Sequence, residues 1–171
     1  MVEVANSALR RAAVQDAAGQ RATAAQPRGD GFAPLTAVPA SEWRALAERA
    51  VEPNGYYLPE WELAVNASAR GRTHASALCA WSEPSSAPDR ALRLTGLMPV
   101  ISMWRAYGIP LPALVSAHPY GTLCTPLLDR DMAQDAARRL LREARNAGAR
   151  ALILRDVAID GAAMRAIAAV L

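Results

Sequence analysis

Apolar positions along this chain change their spacing several times, and each change marks an element. Trp43, Leu46, Ala47 and Ala50 recur at helical intervals. Ser41 stands where an N-cap belongs, and Pro53 closes the run. After the turn sequence Glu52-Pro53-Asn54-Gly55, Pro59 suits a first helical turn. Trp61, Ala64, Val65 and Ala69 then trace one face of a second helix that Gly71 can cap. The period shortens in residues 74–82 and 91–104, which read as strands around a loop of turn-forming residues. Leu92, Leu94, Met98 and Val100 fall on one face at period two, and Pro99 argues for an edge position or a bulge. A short strand over Leu35–Val38 and a further one over Leu111–Ala117 complete the middle.

The C-terminal third carries the strongest pattern. Ala133, Ala137, Leu140, Leu141 and Ala144 line one helix face, with Arg138, Arg139, Arg142 and Arg145 on the other. Asp129 or Asp131 is the expected cap, and Gly148 the stop. Ala151-Leu152-Ile153-Leu154 is a continuous apolar run, as in a central strand buried on both faces. Asp160 is the expected cap of a last helix with Met164, Ile167, Ala168 and Leu171 on one side. The order β-α-α-β-β-β-α-β-α predicts an α/β fold, antiparallel in the middle with a parallel crossover near the end.

Composition adjusts the picture at both ends. Residues 1–33 hold almost no large apolar groups and are expected to form a mobile Ala/Arg-rich tail, leaving one domain over 34–171. All 19 basic residues are Arg and 39 positions are Ala, so coding bias explains the basicity better than a basic ligand does. The net charge of +3 is spread out, and acidic residues share the arginine-bearing helix, which argues against nucleic acid. No apolar run is long enough for a membrane span, and no secretory h-region follows Arg10-Arg11, so a cytoplasmic location is expected. Cys79, Cys124, His74 and His118 have no metal-like spacing, and no metal is expected.

Candidate chemistry is sparse. His118 and Tyr120, in His118-Pro119-Tyr120-Gly121, suit substrate contact or proton transfer; alternatively the segment is a turn with Tyr120 packed on the sheet. Tyr56, Tyr57 and Trp61 form either a stacking platform or a staple for the second helix. Cys124 lacks a base at a recognisable offset and is discounted as a nucleophile.

Four stretches carry a family resemblance: SEWRALAERAVEPNGYYLPEW at 41–61, LTGLMPV at 94–100, HPYGTLCTPLLD at 118–129 and ALILRDVAIDG at 151–161. Together with the element order they resemble the N-terminal half of the CelD-like acetyltransferases, FemAB-related members of the GNAT superfamily associated with cellulose and exopolysaccharide synthesis. The resemblance implies a three-layer fold, a mixed and mostly antiparallel sheet flanked by helices, cut off after the last helix. It implies an acetyl-CoA-dependent acyltransferase acting on a small-molecule or saccharide-precursor acceptor, with Tyr56, Tyr57, Trp61, His118 and Tyr120 on the substrate side. It also places the acetyl-CoA site in a later half. Where a GNAT donor site has a Gly-rich turn, residues 125–135 have no glycine and several aspartates. The chain alone is therefore expected to be inactive. The alternative is a non-catalytic GNAT-like interaction module, with a protein partner on the exposed edge of the fold.

Overall fold

The computed structural model describes residues 29–69, 74–82, 92–117, 120 and 122–171. Strand β1 (Gly31–Pro34) is followed by α1 (Ala40–Glu48), α2 (Pro59–Ser68), β2 (Ser76–Ser82) and β3 (Arg93–Ser102). Then come α3 (Met103–Tyr107), β4 (Ala113–Ser116), β5 (Leu127–Leu128), α4 (Ala133–Asn146), β6 (Ala151–Ile153) and α5 (Ala162–Ala168). The sheet runs β1-β2-β3-β4-β6, with β5 also on β3; every pairing is antiparallel except β4 with β6. This is an α/β protein with a mixed, mostly antiparallel open sheet. The parallel crossover expected near the end is the β4–β6 pair.

Two cores lie on opposite faces of the sheet. One joins Trp43 and Leu46 of α1 and Tyr57 to Cys79, Trp81, Leu94, Leu97, Ile101 and Val115. The other packs Ala136, Ala137, Leu140 and Ala144 of α4 and Ala163 and Ile167 of α5 onto Leu78, Ala80, Met98 and Val100. Gly96 lets α4 approach β3 closely: a Cβ there would stand 3.2 Å from those of Ala136 and Ala80.

A bulge explains why β3 departs from its expected face. Ala80 pairs with Gly96 but Trp81 with Leu94, leaving Thr95 as the extra residue. The pleat inverts there, so Leu94, with Leu92 against it, enters the first core while Met98 and Val100 enter the second. Pro99 is neither on an edge strand nor at this bulge. Its carbonyl accepts from Ala117 N–H at 2.9 Å. Its missing donor faces the same side, in the gap where β3 changes partner from β5 at Gly96–Leu97 to β4 at Val100.

Other boundaries move for local reasons. The first strand is Gly31–Pro34, inside the segment expected to be tail, and Leu35–Ala37 is a 3₁₀ turn instead of a strand. Asp30 anchors this start. Its carboxylate accepts from Trp81 N–H at 2.7 Å and from Arg139 and Arg142 of α4 at 3.2 and 2.6 Å. Two arginines of the polar face thus tie the beginning of the sheet to α4. Residues 103–107 turn helical because Ser102 Oγ caps them, accepting from Arg105 N–H. Helix α1 begins at Ala40, with Ser41 inside its first turn. In α2 the buried positions are Pro59, Glu62, Val65 and Asn66, whereas Trp61 and Ala64, expected on the packed face, are exposed. The proposed cap Gly71 lies outside the described residues.

None of the expected aspartates, Asp129, Asp131 or Asp160, is the N-cap of a late helix. Met132 occupies the N-cap of α4, and Gly161 that of α5. Glu52 reaches α5 from 111 residues away, accepting from Ala163 N–H at 3.2 Å. A Cβ at Gly161 would fall 2.8 Å from the backbone oxygen of Ala158 and 2.4 Å from that carboxylate, so a side chain there meets fixed backbone and displaces Glu52. Strand β6, expected in the centre, is an edge strand with Ala151 exposed and Leu152 and Ile153 half-buried.

Asp129 is the structural pivot. Its side chain is fully buried and contacts Arg49 Nε at 2.7 Å and Arg93 at 3.2 Å. Its backbone N–H donates to Thr95 O at 2.8 Å, and its Oδ1 accepts from Asp131 N–H. Arg49 also donates to Leu94 O. One carboxylate therefore joins the end of α1, the β3 bulge, β5 and the approach to α4. Removing it strands two guanidinium groups at a buried junction, so Asp129→Ala is expected to lower stability by about 3–5 kcal/mol. Urea unfolding followed by circular dichroism measures this, and the exposed-pair variant Arg44→Ala should change far less.

Candidate functional site

The residues singled out from sequence separate into three environments. Asn54 caps the 3₁₀ turn Gly55–Tyr57, its Oδ1 accepting from Tyr56 N–H at 3.0 Å. Its Nδ2 donates to Thr125 O at 2.8 Å and Leu123 O at 3.3 Å, which ties the turn to the segment leading into β5. Pro59 starts α2 immediately afterwards, so Tyr56 and Trp61 are held by one turn and one helix. Their rings stand 6.1 Å apart, edge to face at 69°. Trp61 is 43% exposed and Tyr56 half-buried, an aromatic pair open to solvent. A cleft of about 490 Å³ opens beside the turn, lined by Asn54, Gly55 and Leu58 and, on the α1 side, by Ala47 and Glu48. The Arg44–Glu60 ion pair stands at its rim.

Tyr57 belongs to the core and not to this wall, which corrects its place in the expected substrate surface. Its ring is fully buried, and its carbonyl accepts from Trp43 Nε1 at 2.7 Å. Tyr120 is 64% exposed and does not pack on the sheet. His118, Pro119 and Gly121 lie outside the described residues.

A buried polar seam lies behind the aromatic pair. The Tyr57 hydroxyl, the Cys124 thiol and the Ser116 side chain lie close enough to perturb one another. Burial pushes the Tyr57 hydroxyl well above its ordinary value, with further upward pressure from Cys124 and Glu62. Burial likewise raises the Cys124 thiol, and pushes Cys79 up to about 12. Both cysteines are free, buried and protonated, so neither is a thiolate nucleophile. Glu62 was not legible as a special residue. It is 1% exposed, and among the described residues its Oε2 has no hydrogen-bond partner. Burial raises its carboxyl to about 8, so it is mostly neutral at pH 7. Asn66, in the same helix, uses its side chain to accept from Ala75 N–H at 2.7 Å.

The junction where a GNAT-type acyl donor would meet a helix is built for a different purpose. Asp129 is consumed by Arg49 and Arg93, and Asp135 by Arg139 at 2.7 Å. A cleft of about 560 Å³ at the start of α4 is lined by Arg130 and Arg165 but also by Asp131 and Asp135. Arg130 donates to the carbonyls of Glu48 and Arg49, and Arg165 to that of Asp160. With two carboxylates against two engaged guanidinium groups and no glycine to bare the backbone, these residues do not fit the pyrophosphate of acetyl-CoA.

Elsewhere, Trp104, Tyr107, Ile109 and Leu111 stand exposed on α3 and the loop after it; Trp104 and Leu111 were expected to lie in strands. Among the described residues no group of His, Cys, Asp and Glu could hold a metal, and no helix is long and apolar enough to cross a membrane.

Fold and site define an α/β protein with a solvent-open aromatic pair near an apolar cleft and no assembled catalytic constellation among its described residues. No protein-family model, curated protein or solved structure matches the chain.

Glu62 gives a prediction with a definite sign. Its folded-state pKa lies above the unfolded carboxyl value, so its contribution to stability is fully present below about pH 4.5 and is lost as pH rises towards about 8. Each pKa unit corresponds to about 1.4 kcal/mol, so the wild type should lose on the order of a few kcal/mol relative to Glu62→Gln between pH 5 and pH 8.5. Paired urea titrations at the two pH values check this, and parallel pH profiles would contradict it.

Proposed function

We propose that the chain is an acyltransferase-related protein that contributes the acceptor side of the reaction, resembling the acetyl-CoA-dependent N-acetyltransferases of polysaccharide biosynthesis. The observation that carries the reading is the solvent-open Tyr56–Trp61 pair, fixed by the Asn54-capped turn beside an apolar cleft. Aromatic faces of this kind bind the C–H face of a sugar ring, while a cleft wall fixes its orientation. Support for the family reading comes from the element order and from the parallel β4–β6 pair around α4. In such transfers the acceptor amine or hydroxyl attacks a thioester directly, and positioning the acceptor supplies much of the rate. That positioning is the role assigned to this surface; the donor lies outside it, given the charge and shape at the start of α4.

A second reading, a non-catalytic interaction module, is favoured by the basic groove beside the open edge of β6.

Calorimetry is expected to show no micromolar complex between this chain and acetyl-CoA; such a complex would overturn the donor half of the reading. Titration with glucosamine, followed by ligand-observed NMR, is expected to show saturation transfer that Trp61→Ala reduces at least threefold. Trp104→Ala, in the other exposed patch, should leave it unchanged. Equal loss in both variants, or no transfer in the wild type, would overturn the acceptor half.

A further inference from the structure

The four arginines of α4 differ in what they touch, and the difference points to a partner. Arg139 is committed to Asp135 and Asp30, and Arg142 shares Asp30. Arg138 has only a 3.8 Å approach to Asp135, and Arg145 and Arg150 have no acidic partner among the described residues. Arg138, Arg142, Arg145 and Arg150 line one groove of about 460 Å³, floored by Leu141 and Leu152, and no acidic side chain lines it. Arg142 is paired with Asp30 and Glu143, but Arg145 and Arg150 are not, and their excess positive charge beside apolar side chains is a cost that an anionic occupant would relieve.

The groove runs onto an unused sheet edge. β6 pairs with β4 on one side, and among the described residues no strand covers the other. Arg150 N–H donates inward to Pro112 O at 2.7 Å. Ala117 N–H donates to Pro99 O, so Val115 and Ala117 face β3 while Leu114 and Ser116 face β6. The register then sets Ala151 and Ile153 against β4 and leaves the N–H and C=O of Leu152 facing outward. An uncovered edge of this kind is a template for an added strand.

We infer that this groove binds an extended acidic peptide segment of a protein partner, which adds to β6 as an edge strand, sets its carboxylates against Arg145 and Arg150 and drops alternate apolar side chains onto Leu141 and Leu152. The lining contains no aromatic residue on which nucleic-acid bases would stack, and the apolar floor suits side chains better than phosphates. The inference is independent of the acyl-transfer reading.

The test is fluorescence anisotropy with a fluorescein-labelled eight-residue peptide alternating glutamate and valine, its lysine–valine counterpart, and an oligo-dT of similar charge. The acidic peptide is expected to bind at least tenfold more tightly than the basic one and to weaken at least tenfold between 50 and 500 mM NaCl. Arg145→Glu combined with Arg150→Glu should remove binding while leaving the circular dichroism spectrum unchanged, since both side chains are exposed. Methylating alternate backbone nitrogens of the peptide tests the added strand without altering the protein, and should cost at least tenfold. No binding of the acidic peptide at 1 mM, insensitivity to the charge reversals, or indifference to backbone methylation would overturn the proposal. Tighter binding of oligo-dT, or self-association of the chain that the two reversals abolish, would overturn it in favour of nucleic acid or a second copy.

Discussion

A single buried carboxylate, that of Asp129, holds the architecture at its most awkward point. β3 serves two partners on one side, β5 and then β4, and bulges at Thr95 against β2 on the other. A bulge and a change of partner leave backbone groups and pleat direction locally unspecified. Asp129 fixes both. Its N–H bonds the bulge residue, its carboxylate gathers Arg49 and Arg93, and Arg49 reaches on to Leu94 O. A charge buried with two partners is costly to desolvate, and its value lies in excluding other registers that would leave it alone. The bulge in turn sends Leu94 into one core and Met98 into the other, so both layers depend on this register.

The same arrangement determines what α4 can do at each end. At its start the carboxylates and arginines are engaged with each other or with backbone carbonyls, which leaves little field for an incoming phosphate. Farther along, Asp30 ties two arginines to the beginning of the fold. Past that tie the balance fails, and the last turn of α4, with Arg150 beyond it, is positive and largely uncompensated. One helix thus has a neutralised end and a receptive end. The aromatic pair Tyr56–Trp61 belongs to a separate surface, built by α2 and the turn before it.

Much of this was legible in the sequence wherever the cause is local. The arginine and alanine stripes of α4 give its faces, Pro59 opens α2, Gly148 stands at φ +85° where α4 stops, and the apolar segments in the middle become paired strands. Features fixed by distant groups were not legible. Glu52 caps α5 from across the chain, so Asp160 looked like the cap. Asp30 looked like part of a polar tail because its partners are more than a hundred residues away. The apolar run at 151–154 describes hydrophobicity but not the number of neighbouring strands, and β6 has only one. In α2 the pattern placed Trp61 inward and ignored Glu62, whereas the helix is set with Glu62 and Asn66 inward, where Asn66 is held by Ala75 N–H. For the candidate site, Tyr56 and Trp61 were legible as a pair, but the burial of Tyr57 was not, since adjacent aromatics in a 3₁₀ turn point to different sides.

The central claim is that α4 spends its charges internally at its start and leaves them open at its end. Titrating the ¹⁵N-labelled protein with inorganic pyrophosphate and following amide shifts tests this directly. The expected response is confined to residues 142–152, with the amides of 131–136 unmoved. Shifts that appear first at 131–136, at lower pyrophosphate than any near Arg145 and Arg150, would contradict the account.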